Sequence, residues 1–454
     1  MQIDCNLCNE FKRASACVFL CFSVNFPSVN PTKMHKLTTL PNGLKVILTP
    51  IEGTKSCTVL CLVGAGSRYE TKNINGISHY LEHMFFKGAQ RYKNAAEVAS
   101  AIDGVGGDFN AFTGKEYAGY YVKLASHQKE VAFDVIGDMM TSATFLPEEV
   151  EKERNVIMEE YNMYQDTPMY QVGWDFERLL FGDQPMGWDQ IGTKETIQSF
   201  QRDQFVDYKN KLYTPDNTVV SISGHYDEKE VMELVGKYFP MPDGTRAFDF
   251  EPYKEMPSDK KIILQHKKTE QGHIILGFPG LPARHEDEYA EKILSVILGG
   301  NMSSRMFMHV REQKSLCYYI RTTTDDYTDI GAITTSAGVD ITRVDMAITA
   351  ILHEYKRIAE AEVSDAELKK GKEFMKGKII LRLEDSEEYA HMMGKQALLY
   401  PDVRTVDDIL KRIDAVSAAD VKRVAQNLFT EEKLKLAMIG PYEDEDHFAG
   451  LLHY

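Results

Sequence analysis

Leu212-Tyr-Thr-Pro-Asp-Asn-Thr-Val-Val-Ser-Ile-Ser-Gly224-His-Tyr226 aligns without a gap to Leu428-Phe-Thr-Glu-Glu-Lys-Leu-Lys-Leu-Ala-Met-Ile-Gly440-Pro-Tyr442. Each copy reads as a helix end, a turn, an apolar strand and a glycine stop. Each also stands near the end of its half of the chain, a shared position that favours duplication over chance likeness. The fold class that follows is α+β: two similar domains, each a mainly antiparallel sheet with helices packed on it.

The flanking sequence fits that division. Residues 241–261 are rich in Pro, Asp, Glu and Lys, have no periodicity, and read as a linker. Before them lies a domain over 34–240, and after them a related domain over 262–454. In the first, Asn42-Gly43 marks a hairpin turn between strands 36–40 and 44–50. A buried strand follows at 57–63, helices at 77–86 and 95–105, a strand at 117–124 and a helix at 128–142. Pro147 opens a further helix that runs to about Tyr164. The second domain restarts with strands 262–265 and 273–277 and a helix at 286–298.

Composition narrows the function classes. Acidic residues outnumber basic ones 68 to 52 for a net charge of −16, which excludes a generic nucleic-acid binder. No apolar run reaches the ~20 residues of a membrane span. Residues 14–24, after Lys12 and Arg13, faintly resemble a signal segment, but Asp4 and Glu10 precede them and no A-x-A site follows. Residues 1–33 therefore read as a disordered leader, or as sequence upstream of a true start at Met34. Four of the seven cysteines lie there, and the lone Cys5-x-x-Cys8 is a weak metal signal. Cys57, Cys61 and Cys317 make no disulfide framework, so a reducing, cytoplasmic setting is expected, with periplasm or mitochondrial matrix left open.

The chemistry concentrates in His79-Tyr80-Leu81-Glu82-His83. On a helix, i and i+4 imidazoles stack on one face at the right separation to share one Zn²⁺. Glu82 lies beside them, placed to take a proton from the attacking water. The rest of the helix circumference is apolar (Ile77, Tyr80, Leu81, Met84, Phe85), so this polar stripe is buried and needs a partner. This is the inverted zinc motif HxxEH. The helix after Pro147 offers a third ligand. Its inward face carries Val150, Ile157, Tyr161 and Tyr164. Glu160 and Glu153 lie close to that face, whereas Glu159 points away. Glu160 is the expected ligand and Glu153 a supporting partner.

His79-x-x-Glu82-His83 with the distant Glu160 resembles the pitrilysin/insulinase family of zinc peptidases. The length and the Asp-Thr-Pro after the ligand helix resemble its mitochondrial processing peptidase-like, two-domain branch. The likeness runs from about Lys36 to the C-terminus. It implies one zinc per chain on His79, His83 and Glu160, Glu82 as general base and Glu153 as an auxiliary acid. It implies that Asn110 and Ala111 contact the substrate on an edge strand, because 107–112 matches that segment. It also implies that Arg311 and Tyr318 stabilise the tetrahedral intermediate, in trans, within a homodimer or a heterodimer with a related chain. The second half has no metal set of its own, since no HxxEH recurs there. The implied activity is hydrolysis of unfolded peptides or small polypeptides, and an acidic chain would attract basic ones. Alternatives are a dedicated presequence-processing peptidase, or a non-catalytic structural or partner subunit of the same family.

Overall fold

The alternating apolar runs of the sequence become two sheets of matching topology. The computed structural model describes residues 35–256 and 260–453. The leader and the Cys5-x-x-Cys8 signal lie outside the described residues. The first sheet contains β1 (Lys36–Thr39), β2 (Lys45–Pro50), β3 (Ser56–Val63), β4 (Asp108–Thr113), β5 (Ala118–Ala125) and β6 (Thr218–Gly224), in the order β1-β2-β6-β3-β5-β4. The second contains β7 (Ile262–His266), β8 (Gln271–Gly280), β9 (Cys317–Asp326), β10 (Gly331–Asp340) and β11 (Lys435–Gly440), in the order β7-β11-β8-β10-β9. Without β1, the two orders superimpose strand for strand. Each has a single parallel pair, β2 with β6 and β7 with β11, and the rest is antiparallel. The repeat quoted above supplies β6 and β11, the second-from-edge strands of these matched frameworks.

The helices repeat in the same rhythm. The first half carries α1 (Ile77–Phe85), α2 (Ala95–Asp103), α3 (Lys129–Ser142), α4 (Pro147–Asp166), α5 (Pro168–Phe181), α6 (Lys194–Ser199), α7 (Arg202–Leu212) and α8 (Glu228–Tyr238). The second carries α9 (Glu288–Gly299), α10 (Val344–Glu360), α11 (Asp365–Arg382), α12 (Ser386–Leu399), α13 (Val406–Ala415), α14 (Ala418–Leu428) and α15 (Glu445–Ala449). None of the described helices is long and apolar enough to cross a membrane.

Each sheet buries one face under its own helices and the other under a helix from the opposite half. Ala390, Met393 and Ala397 of α12 pack on Ile47, Leu60, Leu62 and Val219 of the first sheet. Reciprocally, Val172, Phe176 and Leu180 of α5 pack on Ala332, Ala437 and Ile439 of the second. Cover on both faces explains why β3 and β6 are buried along nearly their whole length rather than at alternate residues. Polar contacts fix α12 in place: Ser221 donates to the Ala390 carbonyl at 2.7 Å, and Lys45 Nζ to that of Ala397 at 2.9 Å. A buried ion cluster adds a second tie. Arg68 donates to Glu116 at 2.6 Å and to Asp329 at 2.8 Å, and Glu116 accepts from Thr328. Residues 241–256, expected as a linker, carry no helix or strand, yet the exchanged helices and this cluster hold the halves in one unit from His35 onward.

Candidate metal centre

The position of α1 is set at its first turn. Gly76 has φ +94°, and a Cβ there would meet the Ile191 carbonyl oxygen at 2.4 Å, so only glycine fits. The buried Glu70 carboxylate accepts from Gly76 N at 2.8 Å, Ser78 N at 2.9 Å and Asn75 Nδ2 at 3.0 Å. It thus satisfies free N–H groups and the positive end of the helix dipole. Burial nevertheless pushes the Glu70 carboxyl up, against the pull of those hydrogen bonds. Ile77, Tyr80, Leu81, Met84 and Phe85 are all buried, which turns His79, Glu82 and His83 toward the half-open side. Tyr80 OH donates to the Val150 carbonyl and pins α1 to α4.

Across from α1, α4 presents Glu160. His79 Nε2 lies 3.6 Å from Glu160 Oε1, and His83 Nε2 lies 3.5 Å from Oε2. One ligand atom from each of the three lies within 4.8 Å of the others. These separations are long for hydrogen bonds. They suit donors around a shared ion: zinc held tetrahedrally at about 2.0–2.1 Å sets neighbouring donor atoms about 3.4 Å apart. Two imidazoles and one carboxylate are zinc-type donors, and three protein ligands leave a position open. The residues present therefore fit the metal. His83 Nδ1 and Glu153 Oε1 are 2.9 Å apart, which fixes the ring and leaves Nε2 for an ion. His79 Nδ1 is buried and has no hydrogen-bond partner among the described residues.

The charges are mutually adjusted. Burial lowers the His79 imidazole, but Glu160, with Glu82 and Glu70 behind it, outweighs burial and raises it. Burial likewise opposes ionisation of Glu160 and Glu153. The neighbouring His79 and His83 hold Glu160 below the usual carboxylate range, and His83 with Lys87 does the same for Glu153. Both acids thus favour the charged form a cation would meet.

The expected site residues fall into two groups. His79, His83, Glu160, Glu153 and Glu82 come together, while Glu159 is exposed as expected. Asn110 and Ala111 lie on β4, the outermost strand of the first sheet, which packs against α1. Arg311 and Tyr318 meet each other elsewhere. Arg311 Nε donates to the Tyr318 carbonyl at 2.8 Å, from a π-helical turn at Phe307–Gln313. Tyr318 is 75% exposed at the start of β9, and no hydrogen bond joins this pair to the His79 cluster among the described residues.

Three contacts went unread in the sequence. Lys87 Nζ pairs with Glu153 at 2.6 Å, and its spacing continues the His79, His83 stripe by one more turn. Glu70 caps α1. Thr113 Oγ1 donates to Glu82 Oε2 at 2.6 Å, with only its place three residues beyond Asn110 as a signal.

A duplicated α+β chain with an HxxEH helix and a distal glutamate defines a class of metallopeptidase architecture. Residues 45–178 match the family model for Insulinase (Peptidase family M16), and 199–375 that for the Peptidase M16 inactive domain. The chain belongs to peptidase family M16, the insulinase family. It is 37% identical to the Bacillus subtilis (strain 168) protein "Uncharacterized zinc protease YmxG" over 90% of this chain and 98% of that one. It is 34% identical to an uncharacterized zinc protease of Streptomyces coelicolor over 92% and 91%. In fold, it is similar to the crystal structure of a protease from Helicobacter pylori, with a TM-score of 0.84 and 24% identity over 90% of this chain and all of that one.

Proposed function

We propose that the chain is a zinc-dependent endopeptidase acting on unfolded peptides or small polypeptides. The observation that carries this reading is the convergence of His79, His83 and Glu160 on one point, beside a separate carboxylate, Glu82. Those three residues would hold one zinc ion per chain. When bound, zinc supplies Lewis-acid polarisation of the scissile carbonyl and lowers the pKa of water in the site. Glu82 takes the proton of the attacking water on a carboxylate oxygen and passes it to the leaving amine. Glu153 keeps His83 oriented through Nδ1. The substrate backbone adds to β4 as a further strand, touching Asn110 and Ala111.

Arg311 and Tyr318 supply donors for the charge that develops on the carbonyl oxygen. Strand geometry favours their acting on another protomer. Tyr318 and Asp326 lie at opposite ends of β9, roughly 25 Å apart at about 3.3 Å per residue. Asp326 lines the same cavity, about 270 Å³, as Thr113, the residue that touches Glu82. The assembly is then a homodimer, or a heterodimer with a related chain, in a reducing, cytoplasmic compartment.

Glu82→Gln tests the central role. The variant is expected to retain zinc at one per chain by metal analysis while cleavage of a quenched peptide falls at least 1,000-fold. Undiminished cleavage would sink the assignment.

A further inference from the structure

The hydroxyl of Thr113 is the one hydrogen-bond donor given to the Glu82 carboxylate among the described residues, at 2.6 Å to Oε2. Oε1 has no hydrogen-bond partner among the described residues. An O–H to carboxylate bond of that length is charge-assisted and strong. Threonine is also stiff at χ1, so its hydroxyl is a fixed reference rather than a roaming one.

The strand that carries Thr113 is itself held by β5 and α12. Phe112 lies over Gly119, where a Cβ would come within 2.2 Å of the ring. The same ring packs against His391 of α12 at 4.9 Å between centroids. Tyr117 OH meets His391 Nε2 at 2.9 Å, and Gly114 N donates to the Tyr117 carbonyl, closing the β4–β5 turn. Thr113 therefore sits at the end of a braced edge strand and points its hydroxyl across to α1.

We propose that Thr113 is a positioning residue for Glu82: it anchors Oε2 so that Oε1 stays free for the proton of the attacking water, and it links that orientation to the strand on which the peptide docks. The proposal rests on the peptidase reading above. A carboxylate free to rotate spends part of its time with neither oxygen aimed at water, and misplacement on the ångström scale is costly to a proton transfer. Because the contact acts on the base and not on the substrate, its loss falls on kcat rather than KM.

The test compares full-length wild type, Thr113→Val, Thr113→Ser and Glu82→Gln, all zinc-loaded, on one quenched peptide. Thr113→Val keeps the shape and removes the hydroxyl. It is expected to lower kcat about 10- to 100-fold, with KM and zinc content within twofold of wild type. Thr113→Ser restores kcat to within about threefold. Crystal structures give a readout independent of turnover: Glu82 adopts one rotamer bonded to Thr113 in wild type and a rotated or split one in Thr113→Val. Any of these results overturns the proposal: undiminished kcat in Thr113→Val, equal losses in the serine and valine variants, or loss of zinc. An unmoved Glu82 in the Thr113→Val crystal does so as well. Full activity in Glu82→Gln instead brings down the peptidase assignment of the base, and this inference with it. An inactive Glu82→Gln beside a fully active Thr113→Val removes only the inference.

Discussion

A carboxyl group cut off from water keeps its proton to higher pH, and Glu291 on α9 is such a group. Burial, opposed by the Leu281 N–H and Lys292 and aided by Asp326 and Glu288, pushes it up to about 8. The unfolded chain releases the same proton near the ordinary carboxylate value of about 4.3. Between those two values the folded state binds more protons than the unfolded one, so stability falls as pH rises through the window. Glu291→Gln removes the titration. It is expected to match wild type near pH 4 and to exceed it by on the order of 1–3 kcal/mol at pH 8, in urea unfolding at both pH values. Parallel behaviour of the two proteins would refute the effect. Within the candidate site, His79, Glu82 and His83 were legible from their HxxEH spacing on one helix, and Glu160 from its place close to the inward face of the helix after Pro147. Thr113, Lys87 and Glu70 were not, because each matters through a partner that only the tertiary fold brings near.

Single helices and strands followed the sequence closely, since turn residues and apolar alternation are local. The hairpin at Asn42-Gly43, the helix opened by Pro147 and the strand at Ser56–Val63 formed within a few residues of expectation. What stayed hidden was the choice of partner. An apolar stripe on α12 suits any apolar sheet face, and nothing in residues 386–399 says that the face belongs to β3 and β6. The seat of that helix is nevertheless specific. A Cβ on Gly394 would come within 2.6 Å of Leu62 Cδ1 and 3.0 Å of Ser221 Cβ. The reciprocal contact has the same form, with Gly277 of β8 lying under Phe176 of α5, where a Cβ would come within 2.8 Å of the ring. Gly394→Val is expected to lift α12 and cost about 1–3 kcal/mol in chemical denaturation. A change below 0.5 kcal/mol would show that the helix is not tightly seated.

Taken whole, the molecule has two related halves that are not independent bodies. The duplication was readable from the repeat, and the matched strand orders agree with it. The exchange of α5 and α12 was not, because it couples segments hundreds of residues apart. A fragment of residues 35–256 would leave Ile47, Leu60, Leu62 and Val219 uncovered. It is expected to be collapsed or aggregated when made alone, and to recover native-like near-UV circular dichroism when co-produced with residues 260–454. A stable, cooperatively folding fragment would contradict this. The Arg68 cluster points the same way, since separating the halves would strip the buried Glu116 of its Thr328 donors and Arg68 of Asp329.

The exchanged helix also has a consequence in time. On the ribosome, β6 is complete once Gly224 has emerged, but α12 is not available until Leu399. At 5–20 residues per second, the roughly 175 intervening residues take about 10–35 s to make. For that interval the first sheet has its own helices on one side and, on the other, a bare oily face of Ile47, Leu60, Leu62 and Val219. The nascent chain is therefore expected to engage a holdase at the tunnel exit, and its first half finishes packing only when the chain is almost complete.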